Sequence, residues 1–166
     1  MSTAYNPTAW SSFFSAQTGA SAALTGLIFV AVSINLPQIV AVPHLVARSA
    51  KALFTMLGIL LASTLSMAPA QPVRWLGAEL LVLGIFVWAA TTWSGHAASH
   101  RNPYIGTGIR VQQAVLAQCS ALPLFAAGLS LAFLRGGGLY WLVAAAVFSY
   151  VAALLDAWVL LIEIHR

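Results

Sequence analysis

Charge is what this sequence has least of. Among 166 residues there are seven Lys+Arg and three Asp+Glu, 6% of the chain. A soluble domain carries roughly 25% charged residues. Ten charges cannot cover the surface of a 17.5 kDa globule, which excludes a soluble globular fold. Disorder is excluded for the opposite reason, since it needs low hydrophobicity and many charges, and 61% of this chain is hydrophobic. The formal net charge of +4 is spread thinly with no Lys/Arg cluster, so nothing resembles a nucleic-acid footprint. Cys119 is the single cysteine, which excludes an internal disulfide and any cysteine-based metal cluster. No Lys or Arg precedes the first apolar stretch, so that stretch is expected to stay as a membrane helix rather than be cleaved as a signal peptide.

Chemical signatures are equally scarce. Gly136-Gly137-Gly138 and Ile105-Gly106-Thr107-Gly108 match neither nucleotide-binding fingerprint. There is no GxSxG elbow, no HExxH and no TVGYG filter, and no serine has a local activation signature. Lys51 sits at a span end, the wrong depth for a Schiff-base lysine. The expectation is a protein that is not an enzyme, with no catalytic residue.

What the chain does have is long apolar runs. A bilayer core about 30 Å thick needs roughly 20 apolar residues per helix. Five stretches qualify: Ser11 to Leu36, Ala50 to Ala68, Trp75 to Trp93, Val111 to Leu134, and Leu139 to Ile164. The fold class expected is therefore all-α integral membrane, a compact bundle of five transmembrane helices forming one domain over residues 1–166. Short connections predict antiparallel neighbours. Arg48, Lys51, Arg101, Arg110 and Arg166 fall on one side, Arg74 and Arg135 on the other. The positive-inside rule then puts the N-terminus outside and the C-terminus in the cytoplasm. Trp10, Trp75, Trp93 and Trp141 lie near span ends, where an aromatic belt belongs.

On a helical wheel the first span divides into three faces. Gln17, Thr18, Ser21, Thr25 and Asn35 share a polar quadrant. It serves either as interhelical hydrogen-bonding surface or as the wall of a hydrated pathway. Ser15, Gly19, Ala22, Ala23, Gly26 and Ser33 make a small face that permits close helix approach, with Gly19, Ala23 and Gly26 as the expected packing or interface positions. Phe13, Leu24, Leu27, Ala31 and Ile34 make a bulky face expected to touch lipid. Later spans each carry one small or polar stripe: Lys51, Thr55, Gly58, Ala62 and Ser66; Gln112, Cys119, Pro123, Ala127 and Ser130; Ala145, Ser149, Ala152, Asp156 and Glu163. Pro123 is expected to free a carbonyl that Ser120 or a neighbour could satisfy.

Asp156 is the costliest residue to insert, about 2.5–3.5 kcal/mol at a helix centre. It is either a proton or ion site or the partner of Arg48, Lys51 or Arg110. Glu79 is expected to snorkel or to pair with Arg74 or Arg135. His44, His96, His100 and His165 all fall on the predicted cytoplasmic side. His96 and His100, spaced i and i+4, could hold a metal or haem with His44, His165 or Glu163, unless Gly95 ends the helix first. Otherwise no cofactor is expected.

The run Ala23-Leu24-Thr25-Gly26-Leu27-Ile28-Phe29-Val30-Ala31-Val32-Ser33-Ile34-Asn35-Leu36 follows Trp10 and Phe13-Phe14 and precedes the basic loop around Arg48. Over about the first 60 residues this resembles a group of small uncharacterised bacterial multi-span membrane proteins. The resemblance implies a multi-pass protein of the bacterial inner membrane and supplies no catalytic residue. The functional expectation is a homo-oligomeric channel or passive transport protein lined by Gln17, Ser21, Thr25 and Asn35, with Asp156 tuning passage. The alternatives are a non-catalytic accessory subunit docking through Gly19, Ala23 and Gly26, or a metal- or haem-binding protein using His96 and His100. Expected partners are the lipid bilayer and further copies of the chain, with another protein open and nucleic acid excluded.

Overall fold

The computed structural model describes residues 3–101 and 107–164, with side chains at 43–44, 97–107, 109–110, 113 and 161–166 outside the description. Every regular element among the described residues is helical. Two short 3-10 turns, Thr3–Tyr5 and Pro7–Trp10, lead into α1 (Ser11–Ile34). Next come a short α2 (Leu36–Ala41), α3 (Pro43–Ser66), α4 (Val73–Arg101), α5 (Thr107–Phe133) and α6 (Tyr140–Ile164). Five helices are long and apolar enough to cross a membrane: α1 with its lead-in turn, α3, α4, α5 and α6. This is the architecture of a multi-pass membrane protein, and it follows from backbone chemistry. Lipid offers no hydrogen bonds, so each crossing segment must satisfy its own N–H and C=O groups.

Helix ends differ from expectation in three places. The first apolar run does not continue to Leu36: Asn35 leaves the helical region (φ −103°, ψ 17°) and Pro37 stands at the second position of α2. Proline fits a first turn but not a helix interior, which splits the run. α3 begins at Pro43, seven residues before the expected Ala50, again with proline in its first turn. α4 runs through Gly95 to Arg101, well past Trp93. A lone glycine costs a helix only about 1 kcal/mol and does not end it without a second breaker.

α3, α4, α5 and α6 form a closed ring, each packed on the next and α6 returning to α3, while α1 packs on α3 from outside. The five-helix expectation thus resolves into an up-down four-helix bundle with one flanking helix. Its core gathers Phe14, Ile59, Leu80, Leu83, Leu124, Leu131, Leu142 and Ala146, with every spanning helix contributing. Only 11% of α1's most apolar stretch is buried, against 33–50% for the other four.

The closest approach is between α4 and α5. A Cβ on Gly77 would lie 2.7 Å from the Ala132 nitrogen, and one on Gly128 would lie 2.6 Å from Leu81 Cγ and 2.8 Å from its nitrogen. Backbone touches backbone there, which only glycine allows. Trp88 adds a polar clasp by donating its indole N–H to Gln118 Oε1 at 3.1 Å. The α5–α6 turn uses glycine conformationally: Gly136, Gly137 and Gly138 have φ of 89°, 109° and 58°. Ser130 Oγ accepts the Gly138 N–H at 2.6 Å, and the Leu139 N–H donates to the Ala4 carbonyl at 2.8 Å. The N-terminal turn is thereby strapped over this loop. Pro123 stands inside α5, but Ser120 does not serve the carbonyl that proline frees; it donates to Leu116 O at 2.9 Å, one turn back.

Gly77→Ala and Gly128→Ala should each lower stability by about 1–3 kcal/mol, the cost of overpacking where backbone must yield. Gly19→Ala should be neutral or stabilise by up to about 1 kcal/mol through helix propensity. Reversible unfolding in mixed micelles measures all three; equal effects would mean that the α4–α5 approach is not what holds these helices together.

Candidate functional site

The one carboxylate in the apolar layer of α6 sits among the cations of α3. Arg48 Nε lies 3.1 Å from Asp156 Oδ1, and Lys51 Nζ lies 3.3 Å from Oδ2. Arg48 and Lys51 are three residues apart, so both project from one face of α3. Asp156 and Lys51 are buried, with 6% and 8% of their side chains exposed, and Arg48 keeps 16%. Two of the three partners anticipated for Asp156 are therefore present; the Arg110 side chain lies outside the described residues. An ion pair is the physical alternative to an insertion penalty of several kcal/mol. The three groups sum to one positive charge.

The polar quadrant of α1 faces this bundle. Ser21 is fully buried and donates to Gln17 O at 2.6 Å; Thr25 donates to Ser21 O at 2.7 Å; Asn35 donates to Ala31 O at 2.9 Å. These hydroxyl and amide groups satisfy themselves on their own helix, as is usual for Ser and Thr in apolar surroundings. Gln17 is the exception. Its Oε1 accepts the Tyr150 hydroxyl proton from α6 at 2.8 Å. Beside it lies a void of only ≈10 Å³, bounded by Phe13, Phe14, Ile59, Ser63, Leu142 and Ala146. That is room for about one water. Tyr150 escaped sequence reasoning, although a phenol in mid-span always needs a partner.

The faces of α1 are disposed unlike the expectation. Phe14, Ser21 and Ile28 are its buried positions, and Leu24 and Phe13, expected to meet lipid, are half-buried against the bundle. Gly19, Ala23 and Gly26 are exposed on the opposite side, and a Cβ on either glycine would have nothing within 4 Å. Among the described residues, the small face is thus used by no other helix of the protomer. Leu27 and Ile34 are exposed as anticipated. The expected stripes on α3 and α6 do turn inward: Lys51, Thr55, Ala62, Ser66, Ala145, Ser149, Ala152 and Asp156 are all buried.

The histidine rim gains no geometry. His96 is exposed and uses Nδ1 to donate to Thr92 O at 2.9 Å, leaving a single ring nitrogen for any ligand. The side chains of His44, His100, His165 and Glu163 lie outside the described residues. Among the described residues no three His, Cys, Asp or Glu come together as a metal site. Glu79 pairs with neither Arg74 nor Arg135 among the described ion pairs; its Oε2 accepts the Gln71 side-chain amide at 2.6 Å. Gln71 sits in the turn before α4, within reach of the second helical turn, where an uncharged donor suffices.

Comparisons with protein-family models, with curated proteins and with solved structures give no match, so the function must be argued from the geometry alone.

Asp156→Asn should cost about 3 kcal/mol, because it leaves the buried Lys51 and the partly buried Arg48 without their counter-charge. Lys51→Met preserves the Arg48 pair and should cost far less. Tyr150→Phe should cost about 1 kcal/mol, the scale of one interhelical hydrogen bond in a membrane. Unfolding in mixed micelles reads all three, and a harmless Asp156→Asn would remove the ion pair from the account of stability.

Proposed function

We propose that the protein is a non-catalytic interaction subunit of the membrane, which presents the small-residue face of α1 to another transmembrane helix. A second copy of the chain is the partner to test first. One observation carries this reading: Gly19, Ala23 and Gly26 are exposed on the side away from the bundle, and a Cβ on either glycine would meet nothing within 4 Å. In lipid there is no hydrophobic drive between helices, and close approach at small residues is what lets them associate. α1 is also the least covered span.

The channel reading draws less support. Its proposed lining residues Gln17, Ser21, Thr25 and Asn35 bond carbonyls of α1 or Tyr150, and Asp156 is engaged by two cations. A metal- or haem-binding role at His96 and His100 has one described imidazole, already bonded to its own helix. We take the orientation from the distribution of basic residues, with the N-terminus outside and the C-terminus cytoplasmic. The resemblance of the first 60 residues favours the bacterial inner membrane.

Subunit counting in lipid nanodiscs tests the proposal. Wild type should be dimeric or larger, and Gly19→Leu/Gly26→Leu should be monomeric while keeping its helical content. A monomeric wild type, or an oligomer indifferent to the double substitution, overturns it. Ion flux into liposomes should equal that of empty vesicles; flux abolished by Gln17→Leu would restore the channel reading.

A further inference from the structure

A groove of ≈250 Å³ runs between α1 and α6, open on one side and walled almost wholly by carbon. Leu24, Ala31, Ile39, Leu154, Ala157 and Leu160 are among its lining residues. It lies on the α1 flank away from the small face, and none of Gly19, Ala23 and Gly26 lines it. Its volume falls just below the 300–1,000 Å³ of small-molecule pockets, and its shape is long. From Leu24 to Asn35 the groove follows α1 for about 16 Å. That is close to half of a 30 Å hydrocarbon core, the depth of one leaflet.

Its far end adjoins the ion cluster. Ile39, which lines the groove, packs with Leu45 and Leu160. Leu45 is one turn before Arg48 on α3, and Leu160 is one turn after Asp156 on α6. The cluster of Arg48, Lys51 and Asp156 carries one surplus positive charge, and Arg48 is its most exposed member. It lies in the first two turns of the spanning part of α3, which starts at Leu45. An apolar slot one leaflet deep therefore ends within about one helical turn of a cluster that carries an excess positive charge.

We propose that this groove seats one acyl chain of an anionic phospholipid, with the lipid phosphate lying against the Arg48 guanidinium. Lys51 supplies the second positive charge behind it, so that Asp156 does not neutralise the site. A guanidinium donates two parallel hydrogen bonds to phosphate oxygens, which suits Arg48 to that contact. Basic pockets between helices on one membrane face are a general form of anionic-lipid recognition. A zwitterionic lipid would fill the slot equally but gain nothing from the surplus charge.

Native mass spectrometry of the full-length protein, released from nanodiscs of phosphatidylglycerol and phosphatidylcholine with identical chains, tests this. Wild type should retain one lipid and prefer phosphatidylglycerol by about fivefold, the scale of one basic charge at a membrane surface. Lys51→Met keeps Asp156 paired with Arg48 and should bring the preference to about one while the lipid is still retained. Ala31→Trp fills the slot and should abolish retention of both lipids with no change in unfolding midpoint. No headgroup preference in wild type overturns the proposal, as does a preference that survives Lys51→Met or a lipid that survives Ala31→Trp. Gly19→Leu/Gly26→Leu should leave lipid retention unchanged, which separates this site from the fate of the α1 interface.

Discussion

A single carboxylate held between two cations of α3 sets the geometry of the remaining chain. Asp156 can be placed in an apolar layer only where Arg48 and Lys51 reach it, and that requirement fixes α6 against α3 in both height and rotation. With α6 so fixed, Tyr150 lies at the level of Gln17 and Leu160 meets Ile39 and Leu45. The ring of α3 to α6 closes through this contact between its first and last members. α3 consequently touches α1, α4 and α6, and is the helix on which the others are arranged.

α1 reverses the arrangement that a soluble helix would adopt. Gln17, Ser21, Thr25 and Asn35 turn to the protein, while Gly19, Ala23 and Gly26 turn out. Lipid imposes this, because an unsatisfied polar group facing hydrocarbon costs several kcal/mol while a glycine facing it costs almost nothing. Glycine accordingly has two uses. At Gly77 and Gly128 it is spent inside the protomer on the α4–α5 approach. At Gly19 and Gly26 it is left on the surface, where the same kind of approach remains open to another molecule.

The apolar run lengths revealed five candidate spans, and the helical-wheel positions revealed the inward stripes of α3 and α6. The partners of Asp156 were legible too, since few cations were available to it. Other features were hidden for identifiable reasons. The start of α3 at Pro43 lies in polar sequence that hydropathy discounts, and Gly95 signals a break that the backbone does not make. The roles of Gly77 and Gly128 could not be told from those of Gly19 and Gly26, because all four stand in helices that are apolar on every side. Such helices have no strong amphipathic direction to read. Tyr150 and Gln17 are 133 positions apart, and only the fold brings them together.

Arg48 and Asp156 are separated by 108 positions, and this spacing has a temporal meaning. At 5–20 residues per second, a ribosome needs about 5–20 s to travel from the cations to their counter-ion. During that interval α3 must hold its two charges at the headgroups by extending their aliphatic stems. The two charges can enter the apolar layer only once the last span has been delivered. Integration of this protein therefore has a late commitment step, because the charges of α3 meet their counter-ion only when α6 arrives.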